Sequence, residues 1–130
     1  MKNDFVAVLL STYNGEKFLQ EQIVSILSQS DVNISLFIRD DGSTDNTATI
    51  LDGFSRDNRV KILKGPHLGI QSSYWTLLNQ ALSDKSYDYF AYADQDDLWE
   101  LDKIYRGVSV LVGFKNSPAL YCSGLSLIHI

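Results

Sequence analysis

Acidic and amide side chains stand together in the run Asp94, Gln95, Asp96 and Asp97, directly after a short apolar segment. That segment, residues 89–93, is typical of a buried strand. Along an extended segment alternate side chains point to the same side, so we expect Asp94 and Asp96 to converge. Carboxylate oxygens are preferred ligands of Mg²⁺ and Mn²⁺, which also bind diphosphates. The run therefore predicts a metal and diphosphate site, although a short Asp-x-Asp match is also common in a solvated turn before a helix.

A second acidic segment, which begins with Asp40 and Asp41, follows the apolar residues 34–38. A carboxylate in this position can accept a hydrogen bond from a nucleobase N–H or a ribose hydroxyl. The alternative is an ordinary Asp-Gly turn into a helix, with Ser43 or Thr44 as the cap and Asp45 at the positive end of the helix.

A third polar segment, Thr12, Tyr13 and Asn14, follows the apolar residues 5–10. We expect its peptide groups and the Asn14 side chain to line a nucleotide pocket, and a plain strand-to-helix turn is the alternative. His67, in a loop rich in Gly and Pro, is interpreted as a surface residue.

The elements that must position these residues follow from the apolar pattern. Apolar runs at 5–10, 34–38, 60–63, 89–93 and 119–122 predict five strands, and helical spacing of apolar residues predicts a helix after each of the first four. This alternation predicts an α/β fold, a mostly parallel sheet with helices on both faces. Ligands bind at the carboxyl ends of the strands in such sheets, so we expect the three polar segments to meet at one edge.

Composition narrows the classes of protein. The chain has 130 residues and a net charge of −5, which argues against nucleic-acid binding. The single cysteine, Cys122, excludes an internal disulfide and fits a reducing compartment, and no signal peptide or membrane-spanning run is recognisable. The sequence lacks the glycine-rich motifs of P-loop and dinucleotide-binding proteins and has no Cys/His cluster for zinc. We expect a cytoplasmic protein without a transmembrane segment.

The last six residues, 125–130, read LSLIHI and differ in character from the rest. The hexapeptide matches the translation of an adaptor end used in transposon-based sequencing libraries. We therefore expect residues 1–124 to be the N-terminal part of a domain that is C-terminally truncated, and residues 125–130 to be a non-native tail.

Three stretches in this order and spacing resemble family 2 glycosyltransferases, and among them bacterial rhamnosyltransferases of polysaccharide synthesis. They read VAVLLSTYNGEKFLQEQIVSILSQS, LFIRDDGSTDNTATIL and YFAYADQDDLWELDKI. The resemblance covers almost the whole chain and implies the Rossmann-like, nucleotide-sugar-binding half of a GT-A fold. It also implies a dTDP- or UDP-linked sugar donor, a glycan or lipid-linked acceptor, and Mg²⁺ or Mn²⁺. The complete enzyme would then act at the inner face of the membrane.

The resemblance also suggests roles for individual residues. It places Thr12, Tyr13 and Asn14 in the nucleotide pocket and Asp41, with Asp40 beside it, at the base. It makes Asp94, Gln95 and Asp96 the DxD motif, in which Asp94 and Asp96 are the metal ligands and Asp96 the more direct one, with Asp97 as a neighbour in the donor site.

In mechanism, the resemblance implies a single displacement with inversion of the sugar, helped by a carboxylate general base. That base comes from the acceptor-binding half in this family, and no residue of this sequence matches it, so no catalytic residue is assigned. A nucleotidyl- or phosphotransferase would need a basic or Gly-rich loop after the first strand, which residues 11–15 do not supply. A phosphoacceptor signalling domain would have its acids after the first and third strands, whereas here they follow the second and fourth. The alternative that stays open is a non-catalytic nucleotide-binding or interaction module.

Overall fold

The computed structural model describes residues 4–114 and 119, and the elements alternate along the chain as predicted. The strands are β1 (Asp4–Thr12), β2 (Val32–Asp40), β3 (Val60–Lys64) and β4 (Tyr89–Ala93). The helices are α1 (Leu19–Leu27), α2 (Thr47–Asp52), α3 (Ile70–Asp84) and α4 (Lys103–Leu111), and a 3-10 turn follows at Val112–Phe114. The predicted fifth strand at 119–122 and the predicted tail at 125–130 lie outside the described residues, apart from Ala119.

The four described strands form one sheet in the order β3-β2-β1-β4, and all pairs are parallel. Strand β1 lies inside the sheet, and its residues 6–10 are fully buried, which explains its uninterrupted apolar sequence. Alternate side chains of β1 enter two separate cores. One core contains residues of α1, α2 and α4, and the other contains residues of α3, so helices cover both faces of the sheet. The predicted α/β fold is therefore confirmed.

The start of α2 differs from the expectation. In the turn interpretation of this segment Ser43 or Thr44 would cap the helix, but it begins at Thr47, and the carboxylate of Asp45 accepts the Thr47 N–H at 2.9 Å. The Ser43 hydroxyl and the Thr44 N–H are engaged instead with Asn14, in the loop after β1. The capping prediction was wrong because a contact between distant loops uses these groups.

Within the described part of the chain, no helix has both the length and the apolar character needed to cross a membrane.

Candidate functional site

The three polar segments meet at one edge of the sheet, as the sequence predicted. Thr12 at the end of β1 pairs in register with Asp40 at the end of β2, and Leu10 pairs with Ala93 at the end of β4. Because all of these strands are parallel, the loops that follow them emerge on the same side. Their side chains can therefore act on one ligand.

Asp41 is the most enclosed acid of this edge, with 2% of its surface exposed. Its N–H donates to the Thr12 carbonyl at 2.9 Å, and its carboxylate accepts the N–H groups of Leu68 at 2.8 Å and Gly69 at 3.1 Å. The buried guanidinium of Arg39 donates to the same carboxylate. Burial raises the pKa of Asp41, but the hydrogen bonds from Leu68, Arg39 and Gly69 outweigh it and hold the pKa below 3.8.

His67 completes the surroundings of Asp41, a role that sequence reasoning missed. Its Nδ1 atom forms a hydrogen bond of 3.1 Å with the backbone carbonyl of Asp41 and lies 3.1 Å from Asp41 Oδ2. Its ring contacts that of Tyr13, with centroids 4.4 Å apart. The side chain is 57% exposed, so the interpretation of His67 as a surface residue is confirmed. That interpretation did not include the contacts of His67 with Asp41 and Tyr13. The signal in the sequence is position, since the loop of His67 follows β3 and must emerge at this same edge.

Asn14 connects the loops after β1 and β2. Its N–H donates to the Ser43 hydroxyl at 2.9 Å, and its side-chain carbonyl accepts the Thr44 N–H at 2.8 Å. Its backbone has a φ of 49°, a left-handed conformation that asparagine tolerates better than most residues. Asn14 therefore joins the loops after β1 and β2 by hydrogen bonds.

The acidic run after β4 forms a turn instead of an extended segment. The Asp97 N–H donates to the Asp94 carbonyl at 3.3 Å, and Asp96 has a φ of 76°. Asp94 lines a cavity beside α3, whereas Asp96 lines a smaller hollow with Asn14 and other residues of the loop after β1. The expectation of an extended segment was wrong, because the chain reverses direction at this point. Among residues 4–114 and 119, no group of three or more His, Cys, Asp or Glu side chains is arranged to hold a metal ion.

Gln95, between these acids, reaches back to the first loop. Its side-chain oxygen accepts the Tyr13 N–H at 2.8 Å and the Thr12 hydroxyl at 3.4 Å. The turn after β4 is thereby held against the loop after β1, and both loops face the same space.

Lys103, at the start of α4, is a buried cation close to the acidic run. Only 4% of it is exposed, and its ammonium lies 5.3 Å from the centre of the Trp99 ring. Burial lowers the pKa of Lys103, and the charges of Asp97 and Asp94 partly oppose that shift. Lys103 therefore offsets part of the negative charge of the run.

A cavity of about 310 Å³ opens between these loops, within the size range of small-molecule sites. Its lining residues come from the ends of β1, β2, β3 and β4, or from the loops that follow them, and from the start of α3. Its lining residues are Ser11, Tyr13, Asp41, His67, Ile70, Tyr74 and Gln95. We call it the Asp41 cavity.

The described part of the chain is a parallel α/β sheet with this cavity at its carboxyl edge, the place where ligands bind in such sheets, which agrees with the expected GT-A fold. The chain belongs to the family "Glycosyl transferase family 2", whose sequence model matches residues 7–115. The family prediction is thus confirmed.

Two curated relatives are bacterial proteins. The chain is 40% identical over 112 residues to the dTDP-rhamnosyl transferase RfbG of Shigella flexneri, covering 83% of this chain and 38% of that protein. It is 34% identical over 97 residues to the glycosyltransferase GlyG of Streptococcus pneumoniae, covering 74% of this chain and 31% of that protein. The chain therefore spans 38% of the length of the first relative and 31% of that of the second.

Two solved structures share the fold. TarS of Staphylococcus aureus in complex with UDP superposes with a TM-score of 0.71 at 21% identity, covering 87% of this chain and 32% of that one. The mannosyltransferase PcManGT of Pyrobaculum calidifontis, in complex with GDP-Man and Mn²⁺, gives 0.72 at 21% identity, covering 85% and 33%.

Proposed function

We propose that this protein binds the donor of a glycosyltransferase reaction, in which a sugar passes from a nucleotide diphosphate to a glycan or lipid-linked acceptor with inversion. The observation that carries the proposal is the Asp41 cavity, placed at the carboxyl edge of the sheet in a member of family 2. The donor is dTDP- or UDP-linked and its sugar is rhamnose or another hexose, in keeping with the dTDP-rhamnosyl transferase among the relatives.

The nucleobase would lie in the Asp41 cavity, between the ring pair of Tyr13 and His67 and the Asp41 carboxylate. A carboxylate has about four lone-pair sites, and Arg39, Leu68 and Gly69 donate to three of those of Asp41. His67 Nδ1 hydrogen-bonds the Asp41 backbone carbonyl and lies 3.1 Å from Oδ2. His67 is the exposed member of this set. A base N–H would therefore take the place of His67 at Oδ2, and the other three contacts would keep the carboxylate in position.

A divalent cation fits the acidic run only together with the diphosphate. Mg²⁺ is commonly held by one or two carboxylates, with substrate phosphates and water filling the other positions. Asp96 is exposed and would be the more direct ligand, with Asp97 beside it. Asp94 is also exposed but lines a separate space, so it would join Asp96 on one cation only if the turn rearranges when the diphosphate binds. Such a cation would stabilise the charge that develops on the leaving diphosphate. Lys103 limits the repulsion within the run before the ligand arrives.

The general base is expected outside this sequence, since none of the described acids of the edge is a candidate for it. Asp40 accepts the Ser43 N–H of its own loop, Asp41 accepts the N–H groups of Leu68 and Gly69 in the loop after β3, and the acids of the turn after β4 are assigned to the metal. The chain should therefore bind the donor and transfer sugar poorly. Sugar transfer by these 130 residues at the rate of a complete enzyme would contradict this assignment.

Calorimetry with UDP and dTDP, each with and without Mn²⁺, tests the donor site. We expect binding that depends on Mn²⁺ and is lost in Asp96→Ala. Asp102→Ala is the matched control, because Asp102 is an exposed acid near the run that pairs with Arg106 at 3.2 Å. If neither nucleotide binds, the chain is an interaction module and the proposal is wrong.

A further inference from the structure

A row of polar side chains on α1 faces the segment that joins β4 to α4. Gln22 and Ser25 in the helix, and Gln29 just after its end, are spaced by three and four residues, so they lie on one side. The Ser25 hydroxyl accepts the Trp99 N–H at 3.1 Å, and the Gln29 amide donates to the Glu100 carbonyl at 2.6 Å. We call these three side chains the α1 row, and it holds the segment to the helix.

Helix α1 is a firm support for this row. Its Leu19, Ile23 and Ile26 are buried in the core on one face of the sheet. The Leu19 N–H donates to the Gly15 carbonyl at 3.0 Å, which joins the helix to the loop after β1. The same helix therefore connects the loop of the candidate nucleotide pocket with the acidic run after β4.

Gln22 contacts the carbonyl that closes the acidic turn. The Asp94 carbonyl accepts the Asp97 N–H at 3.3 Å and also a hydrogen bond from the side-chain amide of Gln22. A carbonyl oxygen has two lone pairs, so both are in use. The contact is made to the main chain, and the Asp94 carboxylate takes no part in it. Because Asp96 lies within the turn, the position of Gln22 determines where Asp96 is presented.

The stability of the fold does not explain a glutamine at this position. Gln22 is fully buried, and among the described residues its Oε1 atom has no hydrogen-bond partner. A buried amide with an unsatisfied oxygen destabilises the folded state, whereas an apolar side chain of similar length would not. The hydrogen bond to the Asp94 carbonyl is what distinguishes glutamine from such a side chain.

We propose that Gln22 is a positioning residue for cation binding, acting through the Asp94 carbonyl on the turn that presents Asp96. The inference rests on the proposed function, in which Asp96 is the more direct ligand. Hydrogen bonds of the α1 row fix the chain at Asp94 and at Trp99. Only residues 95–98 lie between these two points, so any rearrangement that diphosphate binding requires is limited to this span.

Gln22→Met tests the contact, because methionine has a similar length and is readily buried but cannot donate a hydrogen bond. A turn without this contact would lose more conformational entropy when the cation and the diphosphate order it. We therefore expect the dissociation constants of UDP and dTDP at saturating Mn²⁺, measured by calorimetry, to rise about fivefold, the equivalent of one hydrogen bond. The midpoint of urea unfolding should stay unchanged, because the substitution also removes the unsatisfied oxygen.

Gln29→Met is the matched control. Gln29 is 8% exposed and belongs to the same row, but it accepts the Ile104 N–H at 2.9 Å and donates to Glu100, both beyond Trp99 in the chain. Its loss leaves these backbone groups without their partner, so this variant should unfold at a lower urea concentration. Its affinity for the two nucleotides should match that of the wild type, because the chain is still fixed at Asp94 and Trp99.

The outcomes separate this inference from the proposed function. If the wild type binds neither nucleotide in the presence of Mn²⁺, the proposed function is wrong and the inference is wrong with it. If the wild type binds and Gln22→Met binds equally well, the donor site stands and the positioning role is refuted. If Gln22→Met and Gln29→Met lose stability and affinity in parallel, Gln22 has only a structural role, which also overturns the proposal.

Discussion

Replacing Asp41 by asparagine should destabilise the fold as well as the candidate nucleotide site. The substitution removes the charge that faces the Arg39 guanidinium, whose side chain is 5% exposed. It also turns an amide NH₂ toward one of the N–H donors of Leu68 and Gly69, which leaves that donor without an acceptor. Breaking a buried ion pair from one side costs about 3–5 kcal/mol, and an unsatisfied buried N–H accounts for about 1–3 kcal/mol of that. We therefore expect Asp41→Asn to lower the free energy of unfolding by about 3–5 kcal/mol.

Urea unfolding followed by circular dichroism measures this loss. Asp57→Asn is the matched control, because Asp57 also pairs with an arginine, but the two side chains are 27% and 46% exposed. An exposed pair contributes at most about 1 kcal/mol. In the double variant Arg39→Met with Asp41→Asn, the cost should be smaller than the sum of the two single costs, since no unpaired charge stays buried.

The dependence on pH gives an independent check. The pKa of Asp41 in the folded protein lies below 3.8, its ordinary value, so its carboxylate favours folding. That contribution is fully present above 3.8 and is lost as the pH falls through the lower folded value. The stability difference between wild type and Asp41→Asn should therefore shrink below that pH. The reasoning is refuted if Asp41→Asn costs no more than Asp57→Asn, or if the difference stays constant in acid.

Three other perturbations test single contacts. Gly42→Ala should lower the free energy of unfolding, measured with urea, by about 1–3 kcal/mol, because Gly42 has a φ of +81° and a Cβ there would lie 2.8 Å from His67 N. Gly113→Ala, where a Cβ would meet no atom within 4 Å, should cost less. Equal costs for the two variants would contradict this reasoning. Burial raises the pKa of Tyr74 to about 12, so the contribution of its neutral hydroxyl to stability is present below pH 10 and lost as the pH rises through 12. Burial also raises the pKa of Tyr87 and Tyr89, so tyrosinate absorbance should show several late-titrating groups, of which the one near pH 12 is absent in Tyr74→Phe. Gln95→Ala should lower the free energy of unfolding by about 1 kcal/mol and weaken nucleotide binding in calorimetry, because the Tyr13 N–H loses its acceptor. The control Gln20→Ala removes an exposed glutamine and should do neither. If the two variants behave alike, Gln95 does not hold the loop after β1 in place.

Local patterns in the sequence were sufficient for the architecture. The residues of β1 are apolar without interruption because the strand lies between two cores, and the helical stripe of α1 is apolar where it packs on the sheet. Alternation of strands and helices then determines parallel pairing, since each helix returns the chain to the same end of the sheet. The meeting of Thr12, Asp40 and Asp94 at one edge follows from that topology alone.

The details of the site depended on contacts between residues distant in sequence. The Tyr13 N–H finds its acceptor in Gln95, 82 positions away, and Asp41 is surrounded by a loop 27 positions later. The turn at Asp94–Asp97 replaced the expected extended segment because local spacing does not reveal where a strand ends. Such contacts have no periodic signal, as they depend on which loops the sheet brings together.

The sequence by itself therefore determined the class of fold and the edge of the sheet at which chemistry is expected, because buried strands and polar loops have compositions that local patterns record. The family followed from the resemblance of three stretches to family 2 glycosyltransferases. Only the tertiary structure decided that hydrogen bonds from Arg39 and from the loop of His67 hold the Asp41 carboxylate in place. It also decided that Asp94 and Asp96 line separate spaces. The physical reason is that a hydrogen bond or a cavity is defined by the relative position of elements, and only the packing of the helices on the sheet determines that position.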